Sequence, residues 1–133
     1  MSTDSNLSSL VELIHPESFE ETVDRLVNAI KTAGLAVIAR LDHAAGAKTV
    51  GLDLMPTLVI VYGHPLGGTP IMQAHPAAAL ELPLRVLVRS QSEGRTLVSY
   101  HPIAGLLAPY GVPAEMARRL EPAQALLARA LGQ

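Results

Sequence analysis

Along this chain polar and apolar positions alternate, recur at helical spacing or run together, and these patterns mark out most of its elements. Residues 9–15 read as a strand: Leu10 and Ile14 fall on one side, Val11 and Leu13 on the other, and Pro16 ends it. Ser18 and Glu21 then form a capping box, in which serine oxygen and glutamate each satisfy an orphan backbone donor. Behind it Phe19, Val23, Leu26, Val27 and Ile30 make one helical stripe, with Glu20, Asp24, Arg25 and Lys31 on the wet side. Gly34 supplies the left-handed stop. Residues 35–41 are short, apolar and β-branched enough for a strand, and Asp42 is placed to cap a brief helix over residues 43–50 that Gly51 ends.

Residues 57–62 are continuously apolar, the pattern of a central strand covered on both faces. They lead into GHPLGGTPIMQAH, which reads as a wide loop whose glycines supply positive φ and whose prolines stiffen it. Ala77, Ala78 and Ala79 follow as a small-residue packing turn. Further on, Leu84, Val86 and Val88 alternate with Arg85, Leu87 and Arg89, and a Ser92-Glu93-Gly94 turn predicts a hairpin with residues 96–101. Residues 103–108 suit one helical turn. Pro113 suits a first helical position ahead of a stripe of Met116, Leu120, Ala123, Leu127 and Leu131, which Pro122 should kink or restart. Long helices at both ends of a mainly antiparallel sheet predict an α+β fold with the helices packed on one face. Residues 9–133 read as one domain behind a frayed polar tail over residues 1–8.

Composition narrows the function classes. Apolar residues make up 49% of the chain and aromatics 3%, so Leu, Val, Ile and Ala must build the core. Ten basic residues against twelve acidic leave a net charge of −2, with no basic run or aromatic platform for nucleic acid. With no cysteine, disulfides, Cys-ligated zinc, iron–sulfur clusters and thiol catalysis are excluded within this chain. The first residues are acidic where a signal peptide wants Lys or Arg, and no apolar run approaches the ~20 residues of a membrane span, which makes the cytoplasm the expected compartment.

Three segments together resemble the DUF302 family: Leu41-Asp42-His43-Ala44-Ala45 through Lys48 to Gly51-Leu52; Val61-Tyr62-Gly63-His64-Pro65 with Gly68-Thr69-Pro70-Ile71-Met72; and Leu82-Pro83-Leu84-Arg85-Val86-Leu87-Val88 with Val98-Ser99-Tyr100. The resemblance spans roughly residues 10–130. It implies a β-α-β(4)-α arrangement and a tendency to homodimerise, and it implies no activity. Members of the family usually carry Asn, a turn-former, where this chain has His64.

Candidate chemistry gathers around the 62–75 stretch and the 42–48 segment. Gly63, His64, Gly68, Thr69 and Met72 are candidate ligand-binding residues, since amides of a Gly-rich loop leading into a helix over residues 70–74 can bind an anion. The absence of a lysine rules out a nucleotide P-loop. Asp42, His43 and Lys48 are candidates from the family motif, with Asp42 first of all a helix cap. Four of the five histidines precede proline, which places them at strand ends or turns. Three functions follow as expectations. The first is a homodimeric domain holding a small molecule or anion near the 62–75 stretch. The second is a redox or sensor protein in which His43, His64 and His75 bind a transition metal or haem, with Met72 as a further soft ligand. The third is an enzyme using His43 as acid or base.

Overall fold

The computed structural model describes residues 10–133, so the tail expected over residues 1–8 lies outside the described residues. Its strands are β1 (Val11–His15), β2 (Ala36–Asp42), β3 (Thr57–Gly63), β4 (Leu84–Ser90) and β5 (Thr96–Tyr100). Its helices are α1 (Phe19–Thr32), α2 (His43–Thr49), α3 (Pro65–Ala74), α4 (Ile103–Leu107), α5 (Ala114–Ala117) and α6 (Glu121–Ala130), with short 3₁₀ turns between several of them. The strands form one antiparallel sheet in the order β1-β5-β4-β3-β2. With α2 to α5 set aside as insertions, this is the expected β-α-β(4)-α arrangement in an α+β fold.

Register explains which residues make the core. Leu13, Val98, Val88 and Leu58 lie in one rung across four strands, Val86 and Ile60 in the next, and Leu84, Tyr62 and Val37 beyond them. Leu58, Ile60, Tyr62, Leu84, Val86, Val88 and Val98 are all buried. They face α1, which packs against β2, β4 and α6. Within α1, Val23, Leu26, Val27 and Ile30 are buried as their spacing predicts, and Thr22 joins them because its hydroxyl donates to the Ser18 carbonyl at 2.7 Å. The Ser18 hydroxyl accepts from the Glu21 amide at 3.2 Å, and Gly34 turns the chain out of the helix at φ +83°.

The opposite face of the sheet corrects one expectation. β3 is covered on one face only: Val59 and Val61 are half-buried, while Leu41 and Ile14 on the same face are 47% and 51% exposed. The reason is that α1 and α6 pack as a single layer, leaving the apolar residues of the other face partly open.

Where β1 meets α1, the buried His15 ring meets the Glu17 carboxylate through Nε2 at 2.9 Å, and Arg25 donates to the same carboxylate through Nε and through Nη2, the latter at 3.2 Å. The Arg25 hydrogen bond, helped by His15, pulls the Glu17 carboxyl down to about 2. A carboxylate held ionised below its ordinary value of 4.5 contributes stability above that pH and loses the contribution as pH falls toward 2. Glu17→Gln should therefore flatten the acid side of the stability profile in that window. Thermal melts of both proteins across it read the effect, which is small because the group is solvated.

Candidate functional site

β3 ends at Gly63, and the next residue sets the geometry that follows. His64 is the N-cap of α3, its Nδ1 accepting from the Leu66 amide at 3.1 Å. In the neutral ring this places the proton on Nε2. Pro65 has no N–H to satisfy, and the Gly67 amide donates to the His64 carbonyl at 2.9 Å. The amides expected to cradle an anion are thus absent or already engaged at the start of this helix.

The stretch expected to be a wide loop is therefore a ten-residue helix, with Pro70 inside it. Two glycines and the internal Pro70 disfavour that helix locally, yet the fully buried Ile71 anchors it, and tertiary packing overrides propensity. Neither Gly67 nor Gly68 adopts positive φ. Gly67 serves close approach instead: a Cβ there would stand 2.9 Å from Leu120 Cδ2. Its missing side chain lets α3 close onto the 118–120 turn.

Beside this contact lies a cavity of about 850 Å³. One wall is α3 and its approach, with Gly63, His64, Gly67, Gly68, Thr69 and Met72. A second joins the end of α1 to β2, with Ala33, Gly34, Leu35 and Ile38. Ile38 sits where β2 shifts register against β3, between Val37 and Ala39. Leu82, Pro83 and Leu84 form a third wall, and the C-terminal helical run closes the space with Arg119, Leu120, Pro122, Ala123, Leu126 and Arg129. The Tyr62 hydroxyl donates to the Ala123 carbonyl at 2.7 Å, tying α6 to β3. Burial pushes the Tyr62 hydroxyl pKa up, so it stays a neutral donor.

The candidate residues fall into two groups. Gly63, His64, Gly68, Thr69 and Met72 line the cavity. Asp42, His43 and Lys48 belong to α2 and its cap, next to the opposite end of β3, about 20 Å away by strand rise. Asp42 accepts from the Ala45 amide at 2.9 Å, the capping role its position suggests, and His43 and Lys48 are exposed. The histidines do not converge either. His64 and His75 cap opposite ends of α3, about 15 Å apart along the helix. Among the described residues, no three His, Cys, Asp or Glu side chains are placed to hold a metal ion. Sequence reasoning missed Ala33, Ile38, Leu82, Arg119, Leu126 and Arg129, because no local pattern marks residues that only packing brings together.

Comparisons with known proteins agree with this architecture. The family model described as "Domain of unknown function DUF302" matches residues 11–133. Over 99 residues, 74% of this chain, the sequence is 37% identical to "Fluoride-specific ion channel FluC 1" of Brucella suis biovar 1 (strain 1330), covering 39% of that protein. It is 37% identical over the same share of the chain to a protein of the same name from Brucella abortus biovar 1 (strain 9-941), covering 37% of it. The chain thus spans under two fifths of these relatives' length. The crystal structure of an uncharacterized conserved DUF302 protein from Bacillus stearothermophilus matches with a TM-score of 0.78 at 19% identity, over 92% of this chain and 95% of that one.

The cap assigns His64 a structural role that can be measured. His64→Ala should cost about 1 kcal/mol, whereas His64→Asn, another good N-cap, should cost little. Urea denaturation with an unchanged slope distinguishes them.

Proposed function

The chain belongs to the DUF302 family, and for this member we propose a small-molecule-binding function seated in the cavity between α3, the α1–β2 junction and α6. The observation that carries this reading is the cavity itself. Its volume of about 850 Å³ falls within the roughly 300–1,000 Å³ of ligand sites, and apolar side chains and backbone line most of it, with few polar groups. Five of the residues singled out in the sequence meet there.

Binding fits the arrangement better than catalysis. The ionisable side chains on the lining are His64, Arg119 and Arg129, and His64 already spends Nδ1 on its cap. No carboxylate stands beside them on the lining to complete an acid–base pair. Nothing in the spacing of His43, His64 and His75 supports a shared metal or haem.

The Brucella relatives carry the name of fluoride-specific ion channels and extend well beyond the matched region. Among the described residues, no helix is long and apolar enough to cross a membrane. We read the domain as a ligand-responsive unit that accompanies a channel in those relatives, rather than as the pore.

Homodimerisation is the second part of the proposal, favoured by the open sheet face. Leu41, Val59 and Leu87 share one rung there, and Ile14 lies in the next. Val50, Leu52, Leu54 and Met55 add exposed apolar surface in the segment that leads into β3. Apolar area of this kind marks a contact surface, and a second copy presents the same face to it. Light scattering should give a dimer mass, with Ile14→Lys plus Leu41→Lys shifting it to the monomer. A monomer in the unaltered protein would exclude the dimer.

For the ligand, native mass spectra of protein purified from cells should show a bound small molecule. A specific compound at a hundredfold excess over Kd should add about 2.7 kcal/mol of stability, visible as a rise in Tm. Ala33→Trp, placed at the exposed C-cap of α1 on the cavity wall, should abolish that rise without unfolding the protein. If neither a bound molecule nor any hit from a chemically mixed library appears, the reading fails.

A further inference from the structure

Resting on that small-molecule reading, we propose that the cavity takes an amphiphile with an extended apolar body and one anionic head, a carboxylate or a phosphate monoester. The body is matched by Ile38, Met72, Leu82 and Leu126, which come from four separate segments of the chain. The head is matched by charge. No Asp or Glu lies on the lining, whereas Arg119 and Arg129 both do.

Neither arginine takes part in an ion pair among the described residues; the pairs present use Arg25, Arg85, Arg95 and His15. No carboxylate therefore stands within ion-pair distance of either one among the described residues. A guanidinium fork matches a carboxylate or phosphate with two parallel hydrogen bonds, which a neutral or cationic head cannot accept in the same way. The α3 terminus does not compete for the head, since Pro65 lacks a donor and the Leu66 and Gly67 amides donate to His64.

Position adds a shape. Ten residues separate the arginines along the helical run from α5 through α6, about 15 Å of axial rise. One head engages one arginine while the apolar chain lies along Leu126 and the α3 wall.

The test uses the full chain, freed of endogenous small molecules on a hydrophobic resin, with binding followed by calorimetry. The probes are monomeric dodecanoate, dodecyl phosphate, dodecanol and dodecyltrimethylammonium, and phosphatidylglycerol vesicles as a lipid surface. At least one of the anions should bind about tenfold more tightly than the alcohol, and the ammonium most weakly. Whichever anion binds more tightly names the head. Arg119→Gln with Arg129→Gln should reduce the anions to the affinity of the alcohol, the single variants should show which arginine is engaged, and Ala33→Trp should remove binding of every monomer. Circular dichroism checks that each variant is folded. Equal affinity for all head groups, or a preference for anions that survives the double substitution, would overturn the inference while leaving the small-molecule reading intact. So would failure of all four amphiphiles alongside library compounds that still raise Tm in an Ala33-dependent way. Binding to vesicles without binding of any monomer would overturn it in favour of a surface contact.

Discussion

The architecture depends on Tyr62. It is a large side chain with no exposed surface, at the end of a central strand, and its hydroxyl must find a partner once water is excluded. That partner is the Ala123 carbonyl, sixty-one residues on, at 2.7 Å. This hydrogen bond ties α6 to the end of β3; α6 brings Leu126 and Arg129 to the cavity, and the preceding 118–120 turn brings Arg119 and Leu120. Gly63 and His64 follow directly in the chain, so the same strand end supplies the opposite wall.

A second constraint is the contact between α3 and the 118–120 turn. Gly67 has no side chain to hold the two apart, and Leu120 is buried against this part of the core. The helix is poor by composition and survives because its cap, its proline start and its buried Ile71 act together. The GHPLGGTP segment is consequently less a loop built to hold a phosphate than a helix built to lean. The cavity lies beside it, between the α1–β2 junction and the C-terminal helical run.

The two faces of the sheet divide the roles. One face is sealed by α1 and α6 and carries the core, with the cavity at its Gly63 end. The other keeps Leu41 and Ile14 partly open to solvent. Small side chains in α2 leave that helix with no buried residue, so it adds little cover, and Asp42, His43 and Lys48 serve first to cap and solvate it.

Local patterns were enough to read most of the secondary structure. Ser18 and Glu21 announced α1, Asp42 announced α2, alternation from Leu84 to Val88 gave a strand with the right inward face, and Pro122 marked the restart at α6. These are effects of neighbouring residues on one another, so a linear chain displays them. The 65–74 helix is not legible locally because its composition opposes the state that packing imposes. Only one wall of the site is legible in the sequence: Gly63, His64, Gly68, Thr69 and Met72 sit on one segment of unusual composition. Arg119, Arg129, Ile38 and Leu82 carry no such mark. The sequence by itself determined most of the elements and the inward face of each helix stripe and alternating strand; only the tertiary structure decided the 65–74 helix and which ends of the elements meet, because that depends on contacts such as Tyr62 with Ala123 and Gly67 with Leu120, between residues more than fifty positions apart.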